Sequence, residues 1–187
     1  MTGSTDERLC RVQRVIVPYH LTTIEAGQRA IEWERRYKSS ATISVRVGNS
    51  AHNLFGDDGC LLEITQPIIF QANVSCRLLL AFLGIGITKA TSPVLCLIKN
   101  RQSTDIGIEH YRERDGSVLK KLDLSKLSEK YGDIVLSSWA SVIHIVNKRL
   151  SHLTHDSSAR EEEADRAMGA TFATVPGLVR QEFLEKL

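Results

Sequence analysis

The chain lacks most of the features that mark a specialised class of protein. Its 24 basic and 22 acidic side chains leave a net charge of only +2 over 187 residues, so any basic patch must be local. The longest apolar stretch, residues 64–87, is interrupted by polar side chains such as Gln66 and Arg77, which favours a buried helix over a membrane span. Residues 1–14 lack the apolar core of a signal peptide. We therefore expect a cytoplasmic protein without a membrane segment.

Cysteine and glycine motifs that bind metals or phosphates are also missing. The cysteines are widely spaced: Cys10, Cys60, Cys76 and Cys96. They form no CxxC pair, so we expect reduced, mostly buried thiols and neither a structural zinc site nor a disulfide scaffold. Gly84 and Gly86 lack the third glycine and the Lys-Ser/Thr pair of a phosphate loop. The sequence therefore predicts no cofactor.

The remaining composition describes an ordinary globular protein. Hydrophobic residues make up 42% of the chain and charged residues 25%. We find no internal repeat, low-complexity tract or linker, so we interpret residues 1–187 as a single domain. Helical patterns predominate: residues 22–37, 61–83, 117–130, 133–154, 158–168 and 174–187. The predicted fold class is all-α or mostly α, a helical bundle that leaves room for a short β-hairpin.

Several boundaries follow from individual residues. Thr22 or Thr23 is expected to cap the first helix, and Pro176 is expected in the first turn of the last one. Gly84 and Gly86 should end the second helix. We expect a frayed terminus over 1–10 and an extended segment or short helix over 12–21. The segments 41–47 and 94–98 each fit a strand or a helical turn, and loops are expected over 48–59 and 101–116.

The segment with the most potential chemistry lies at the C-terminal end of the helix predicted over residues 133–154. The apolar side chains of this helix share one broad face, from Val135 to Leu153. On the opposite side, spacings of three and four residues align a polar ridge: Ser137, Ser141, His144, Lys148, His152 and His155. Arg149 lies between the ridge and the apolar face.

These residue types suit the cleavage of RNA without a metal. That reaction needs a base for the 2′-OH proton, an acid for the leaving 5′-oxygen, and positive charge near the phosphorane. Histidine can fill both proton roles near neutral pH, and the arginine fork can hold a phosphate. Because the 2′-OH is the nucleophile, such a site would act on RNA and not on DNA.

The spacing of these residues resembles the motif of HEPN domains, in which an arginine precedes a histidine by four to six residues on a helix. Arg149 and His155 fit that spacing, and the string Asn147-Lys148-Arg149-Leu150-Ser151-His152-Leu153-Thr154 resembles a pattern of uncharacterised HEPN-like proteins in which His152 is the key histidine. The resemblance covers about ten residues and the helical setting, and it departs from many such motifs at Leu150, where a polar residue is usual.

The resemblance implies a metal-independent endoribonuclease that acts as a homodimer in a bacterial defence or toxin–antitoxin system, with a cognate antitoxin or defence protein as a further partner. Arg149 would hold the scissile phosphate, and His155 or His152 would transfer protons. Asn147, Lys148 and His144 would contact RNA. Many HEPN-like domains are non-catalytic, and a domain that only binds RNA is the closest alternative.

Other interpretations of the same residues stay open. The ridge is equally typical of a solvated helix face, with Arg149 paired to an acid such as Asp156. A non-catalytic interaction module would use the apolar flank of the same helix, or the helix over 174–187, to bind a partner. A metal site at His152, His155 and Asp156 is a weaker alternative. Two interpretations fit the aromatic and basic cluster of Trp33, Arg35, Arg36, Tyr37 and Lys38: a surface that stacks a base, or a helix end whose positive charges complement the dipole.

Overall fold

Helices account for most of the chain in a computed structural model that describes residues 5–37, 41–44, 59–89, 92–148 and 161–187. The helices are α1 (Thr5–Arg11), α2 (Val17–Arg36), α3 (Leu61–Phe82), α4 (Leu124–Tyr131), α5 (Asp133–Lys148) and α6 (Glu161–Val179). Two short antiparallel strands, β1 (Ile85–Ile87) and β2 (Leu95–Leu97), form a hairpin. The predicted fold class, a mostly helical bundle with a short β-hairpin, is confirmed.

The N-terminal helix is longer than expected. Residues 5–10, expected to fray, belong to α1, and π-helical turns over Val12–Ile16 join α1 directly to α2. Thr22 and Thr23 are therefore not caps: their hydroxyls donate to the carbonyls of Pro18 and Tyr19 one turn earlier. The continuous helix is stabilised because Val17, Leu21 and Ile24 are buried, and tertiary packing outweighs the local capping preference.

Helices α2 and α3 pack antiparallel at the centre of the fold. His20 near the start of α2 hydrogen-bonds Ser75 near the end of α3, with 3.0 Å between Nδ1 and Oγ, and Glu34 accepts from Thr65 at the other end. Between these contacts the backbones approach so closely that a Cβ at Gly27 would overlap the Cβ of Ala72. Gly27 is thus required by packing, at the cost in helix propensity that a glycine carries.

Helix α3 begins and ends where the sequence indicates. Pro67 lies inside the helix, and Gly84 follows its end with a φ of +92°, a conformation that glycine adopts readily. Gly86, by contrast, lies within β1, where it pairs with Cys96. The segment 94–98 contributes a strand rather than a helical turn. The Arg101 guanidinium donates to the carbonyls of Ala81 and Phe82 at 2.6 and 2.9 Å and so helps to satisfy the last carbonyl groups of α3.

Two expectations for the following connection are wrong. Residues 101–116 are not simply a surface loop, because Ile108 and Tyr111 are buried in the core. The helix expected from residue 117 begins only at Leu124, where the Asp123 side chain caps it by accepting from the backbone N–H of Ser125. The residues before it form no helix: Val118 makes an isolated antiparallel bridge with Arg112, and Leu119 donates its backbone N–H to the Tyr111 carbonyl at 2.9 Å.

Helices α5 and α6 close the bundle. The C-terminal region was expected to form two helices, but α6 runs unbroken from Glu161 to Val179, with Pro176 inside it. Burial explains this outcome, because Phe172, Val175 and Leu178 are completely enclosed and outweigh the cost of the proline. The Trp139 indole on α5 donates to the hydroxyl of Thr174 at 2.8 Å and joins the two helices.

The strand predicted over 41–47 is described only in part. Thr42 forms an isolated antiparallel bridge with Cys60, and residues 45–58 lie outside the described ranges. All four cysteines are free; Cys76 is buried, but Cys10 is exposed and the other two are half-buried, so the expectation of mostly buried thiols is wrong. In the described part of the chain, no helix combines the length and apolarity needed to cross a bilayer.

Candidate functional site at the end of α5

Helix α5 separates its polar and apolar sides as the sequence predicts. Trp139, Val142, Ile143 and Val146 are buried against the core. The part of the polar ridge that the structure describes lies outward: Ser137 and Lys148 are exposed, and Ser141 and His144 are half-buried. These described apolar side chains of α5 therefore pack in the protein's own core, as do Phe172, Val175 and Leu178 on α6. An interaction module that would use the flank of α5 or the helix over 174–187 stays a prediction.

Asn147 connects the last turn of α5 to α3. Its Oδ1 accepts a hydrogen bond from Arg77 Nε at 2.6 Å, and both residues are half-buried. The side chain of Asn147 is thus held by a cationic group of a neighbouring helix and lies on the inner flank of the ridge. Lys148, the next residue, extends into solvent. The geometry places an arginine from α3 beside the first residues of the Asn147-Lys148-Arg149 segment.

Arg77 is the site residue that the sequence analysis missed as a candidate. It interrupts the apolar second half of α3, where it follows the fully buried Cys76. A charged residue at such a position usually has a specific partner, because an unpaired charge is costly to bury. That pattern was visible in the sequence, but it named no partner: Arg77 and Asn147 are 70 residues apart and meet only through helix packing.

The other predicted site residues lie outside the described residues. Arg149, His152 and His155, proposed for catalysis, and Asp156, considered as a metal ligand, fall in the segment 149–160. Of the predicted RNA-contacting residues, the structure places His144, Asn147 and Lys148 within the last two turns of α5. Their one-turn spacing brings His144 and Lys148 to neighbouring positions on the helix surface.

Two cationic side chains lie at this end of the described helix. Lys148 is exposed in the last described turn of α5, and Arg77 of α3 hydrogen-bonds the neighbouring Asn147. Positive charge attracts the phosphate backbone of a nucleic acid, so both side chains are important to any phosphate-binding role here.

Two other polar clusters have structural explanations. Burial lowers the pKa of His20, whose ring is held by Ser75, a completely buried hydroxyl that no substrate can reach. The pKa of Glu109 is lowered although burial opposes the charge, because Arg101 hydrogen-bonds its carboxylate at 2.8 Å. Among the described residues, no three His, Cys, Asp or Glu side chains are grouped closely enough to hold a metal ion.

Two surface clefts lie away from the ridge. One, of about 340 Å³, runs between α2 and α3 and is lined by apolar and neutral side chains around Ala26 and Gln71. The other, of about 250 Å³, lies between α2 and α6, beside Arg35 and Arg166. At the end of α2 the aromatic residues considered for base stacking, Trp33 and Tyr37, are half-exposed, and the Arg36 guanidinium lies 5.6 Å from the Tyr37 ring centre.

Comparison with known proteins finds no family model, no curated protein and no solved structure that matches the chain.

Proposed function

We propose that the C-terminal end of α5 binds RNA and that the segment beginning there cleaves it without a metal. The observation that carries the proposal is the hydrogen bond between Arg77 and Asn147. It brings a second cationic helix residue to a segment whose sequence contains Lys148, Arg149, His152 and His155. Cations from two helices and titratable histidines in one segment are the groups that phosphoryl transfer from RNA requires.

The proposed reaction assigns a role to each type of side chain. One histidine, His152 or His155, takes the proton of the 2′-OH, and the 2′-oxygen attacks the adjacent phosphorus. The bond from phosphorus to the 5′-oxygen breaks, and a second histidine protonates that oxygen. Arg149 neutralises the charge that develops on the phosphorane oxygens. The products are a 2′,3′-cyclic phosphate and a free 5′-hydroxyl.

The biological setting rests on the resemblance to HEPN domains. That resemblance favours a homodimeric endoribonuclease of a bacterial defence or toxin–antitoxin system, controlled by a cognate partner. The closest alternative is a non-catalytic HEPN-like domain that binds RNA through the same residues. Both the endoribonuclease and the non-catalytic alternative require Lys148 and Arg77 to contact phosphates. The two therefore share an RNA-binding site and differ only in whether the bound RNA is cleaved.

The test is incubation of the purified protein with mixed RNA in EDTA. We expect cleavage by the wild type, and none by Arg149→Ala or by the double variant His152→Ala/His155→Ala. Lys126→Ala is a matched control, because Lys126 is an exposed lysine on α4, which adjoins the opposite end of α5. Full activity in the double histidine variant would refute the catalytic assignment. RNA binding without cleavage by the wild type would favour the non-catalytic alternative.

A further inference from the structure

The cleft between α2 and α6 is lined by two arginines, one from each helix. Arg35 lies in the last turn of α2, and Arg166 lies in the second turn of α6. The cleft has a volume of about 250 Å³, and seven residues line it: Gln28, Ile31, Glu32, Arg35, Arg166, Gly169 and Ala170. We call this surface the α2–α6 cleft.

The shape of the α2–α6 cleft follows from the helical repeat and from one glycine. Its lining residues are spaced three or four apart on each helix, so each wall is a single helix face. Gly169 adds no bulk, and Nη2 of Arg35 lies 3.4 Å from the position that a Cβ at Gly169 would take. A glycine inside a helix costs stability relative to alanine. Here it leaves room for the Arg35 guanidinium and for a small ligand group beside it.

The charges of the α2–α6 cleft suit an anion. Arg35 and Arg166 are exposed, and neither belongs to an ion pair between described residues. Arg166 donates from Nε to the backbone carbonyl of Glu162 at 3.3 Å, which orients its terminal nitrogens. The lining contains two guanidinium groups and one carboxylate, that of Glu32, so positive charge is in excess. Guanidinium groups bind phosphate oxygens through paired N–H donors.

The α2–α6 cleft is not part of the ridge on α5, but it lies at the same end of the bundle. Helices α5 and α6 are antiparallel, because two hydrogen bonds join the start of one to the end of the other: Lys130, just before α5, with Gln181, and Trp139 with Thr174. Lys148 lies nine residues beyond Trp139, and Arg166 lies eight residues before Thr174. Both distances are about 13 Å along a helix, so Lys148 and Arg166 lie at about the same level.

We propose that the α2–α6 cleft is a phosphate-binding subsite, in which Arg35 and Arg166 together hold one phosphate group of the RNA strand bound at the end of α5. This inference rests on the proposed function for its ligand, and it adds a second point of contact on other helices. The volume of the cleft lies below the range of about 300–1,000 Å³ that encloses a whole small molecule, so it suits one group of a longer ligand.

The salt dependence of RNA binding tests the subsite. The ligand is single-stranded RNA with 2′-O-methyl groups, which the proposed reaction cannot cleave, and fluorescence anisotropy measures its affinity. The slope of log affinity against log salt should become less steep by about 0.7 in Arg35→Gln/Arg166→Gln, the value for one lost phosphate contact. Each single variant should change the slope by less, because the other arginine still neutralises the phosphate. Arg29→Gln, at an exposed arginine of α2 outside the lining, is the matched control and should keep the wild-type slope.

Two further variants test the charge and the space of the α2–α6 cleft separately. Glu32→Gln should bind the RNA more tightly than the wild type, because it removes a negative charge beside the phosphate. Gly169→Leu should bind it more weakly without any change of charge, because the leucine side chain would occupy the cleft. This variant should keep the far-UV circular dichroism of the wild type, since the atom nearest to its Cβ is the flexible end of Arg35.

The outcomes separate the subsite from the proposed function. A wild-type slope in the double arginine variant would overturn the subsite, and so would a slope less steep by about 1.4, which two separate phosphate contacts require. If Lys148→Ala becomes less steep while the double arginine variant does not, the proposed function stands and only the subsite fails. No RNA binding by the wild type would overturn both.

Discussion

Replacing Asn147 with alanine should destabilise the protein by a modest, calculable amount. The variant removes the acceptor of the 2.6 Å hydrogen bond from Arg77. A hydrogen bond to a charged group contributes about 1.5–3 kcal/mol, and the lower end applies because both residues are half-buried and water can replace the acceptor. Alanine recovers about 0.5 kcal/mol of helix propensity. The net loss is therefore about 1 kcal/mol, or about 2–4 °C in Tm for a chain of this size.

Thermal and urea unfolding measure this loss, with Ser137→Ala as a control on the exposed side of the same helix. Asn147→Asp provides the contrasting variant. Its carboxylate would pair with Arg77, so the free energy of unfolding should stay within about 1 kcal/mol of the wild type. The added negative charge should nevertheless weaken RNA binding. An Asn147→Ala protein as stable as the wild type would refute the reasoning that Arg77 is anchored here.

Two further predictions concern packing and pH. Gly27→Ala should lower the free energy of unfolding by about 1–3 kcal/mol, because its Cβ would overlap the Cβ of Ala72. Gly177→Ala, which has open space around its Cβ, should raise the free energy of unfolding by up to about 1 kcal/mol. Equal effects of the two variants in urea unfolding would contradict this packing. Because burial lowers the pKa of His20 in the folded state, the unfolded state binds the proton first, and stability should fall as pH drops below about 6.5. His20→Gln should lose less stability than the wild type between pH 7.5 and 5.5, and an equal loss would argue against a buried neutral His20.

The fold was predictable where one residue decides a local outcome. The apolar periodicity of α3 and α5 indicated both helices, and Gly84 marked the end of α3, because left-handed backbone favours glycine. The errors arose where distant packing overrides local preference. Pro176 looked like the first turn of a new helix, but the burial of its neighbours keeps α6 continuous.

The candidate site was predictable only in part for a similar reason. Lys148 is exposed and His144 is half-buried, as the apolar periodicity of α5 in the sequence indicates. Arg77 belongs to another helix, and its partnership with Asn147 depends on the way α3 and α5 pack.

The most direct test of the central claim is the salt dependence of binding to single-stranded RNA, measured by fluorescence anisotropy for the wild type, Lys148→Ala and Lys126→Ala. The slope of log affinity against log salt is negative for the wild type. We predict that it becomes less steep by about 0.7 for Lys148→Ala, the value for one lost phosphate contact, and that it is unchanged for Lys126→Ala. Equal slopes for all three proteins, or no binding by the wild type, would contradict an RNA site at the end of α5.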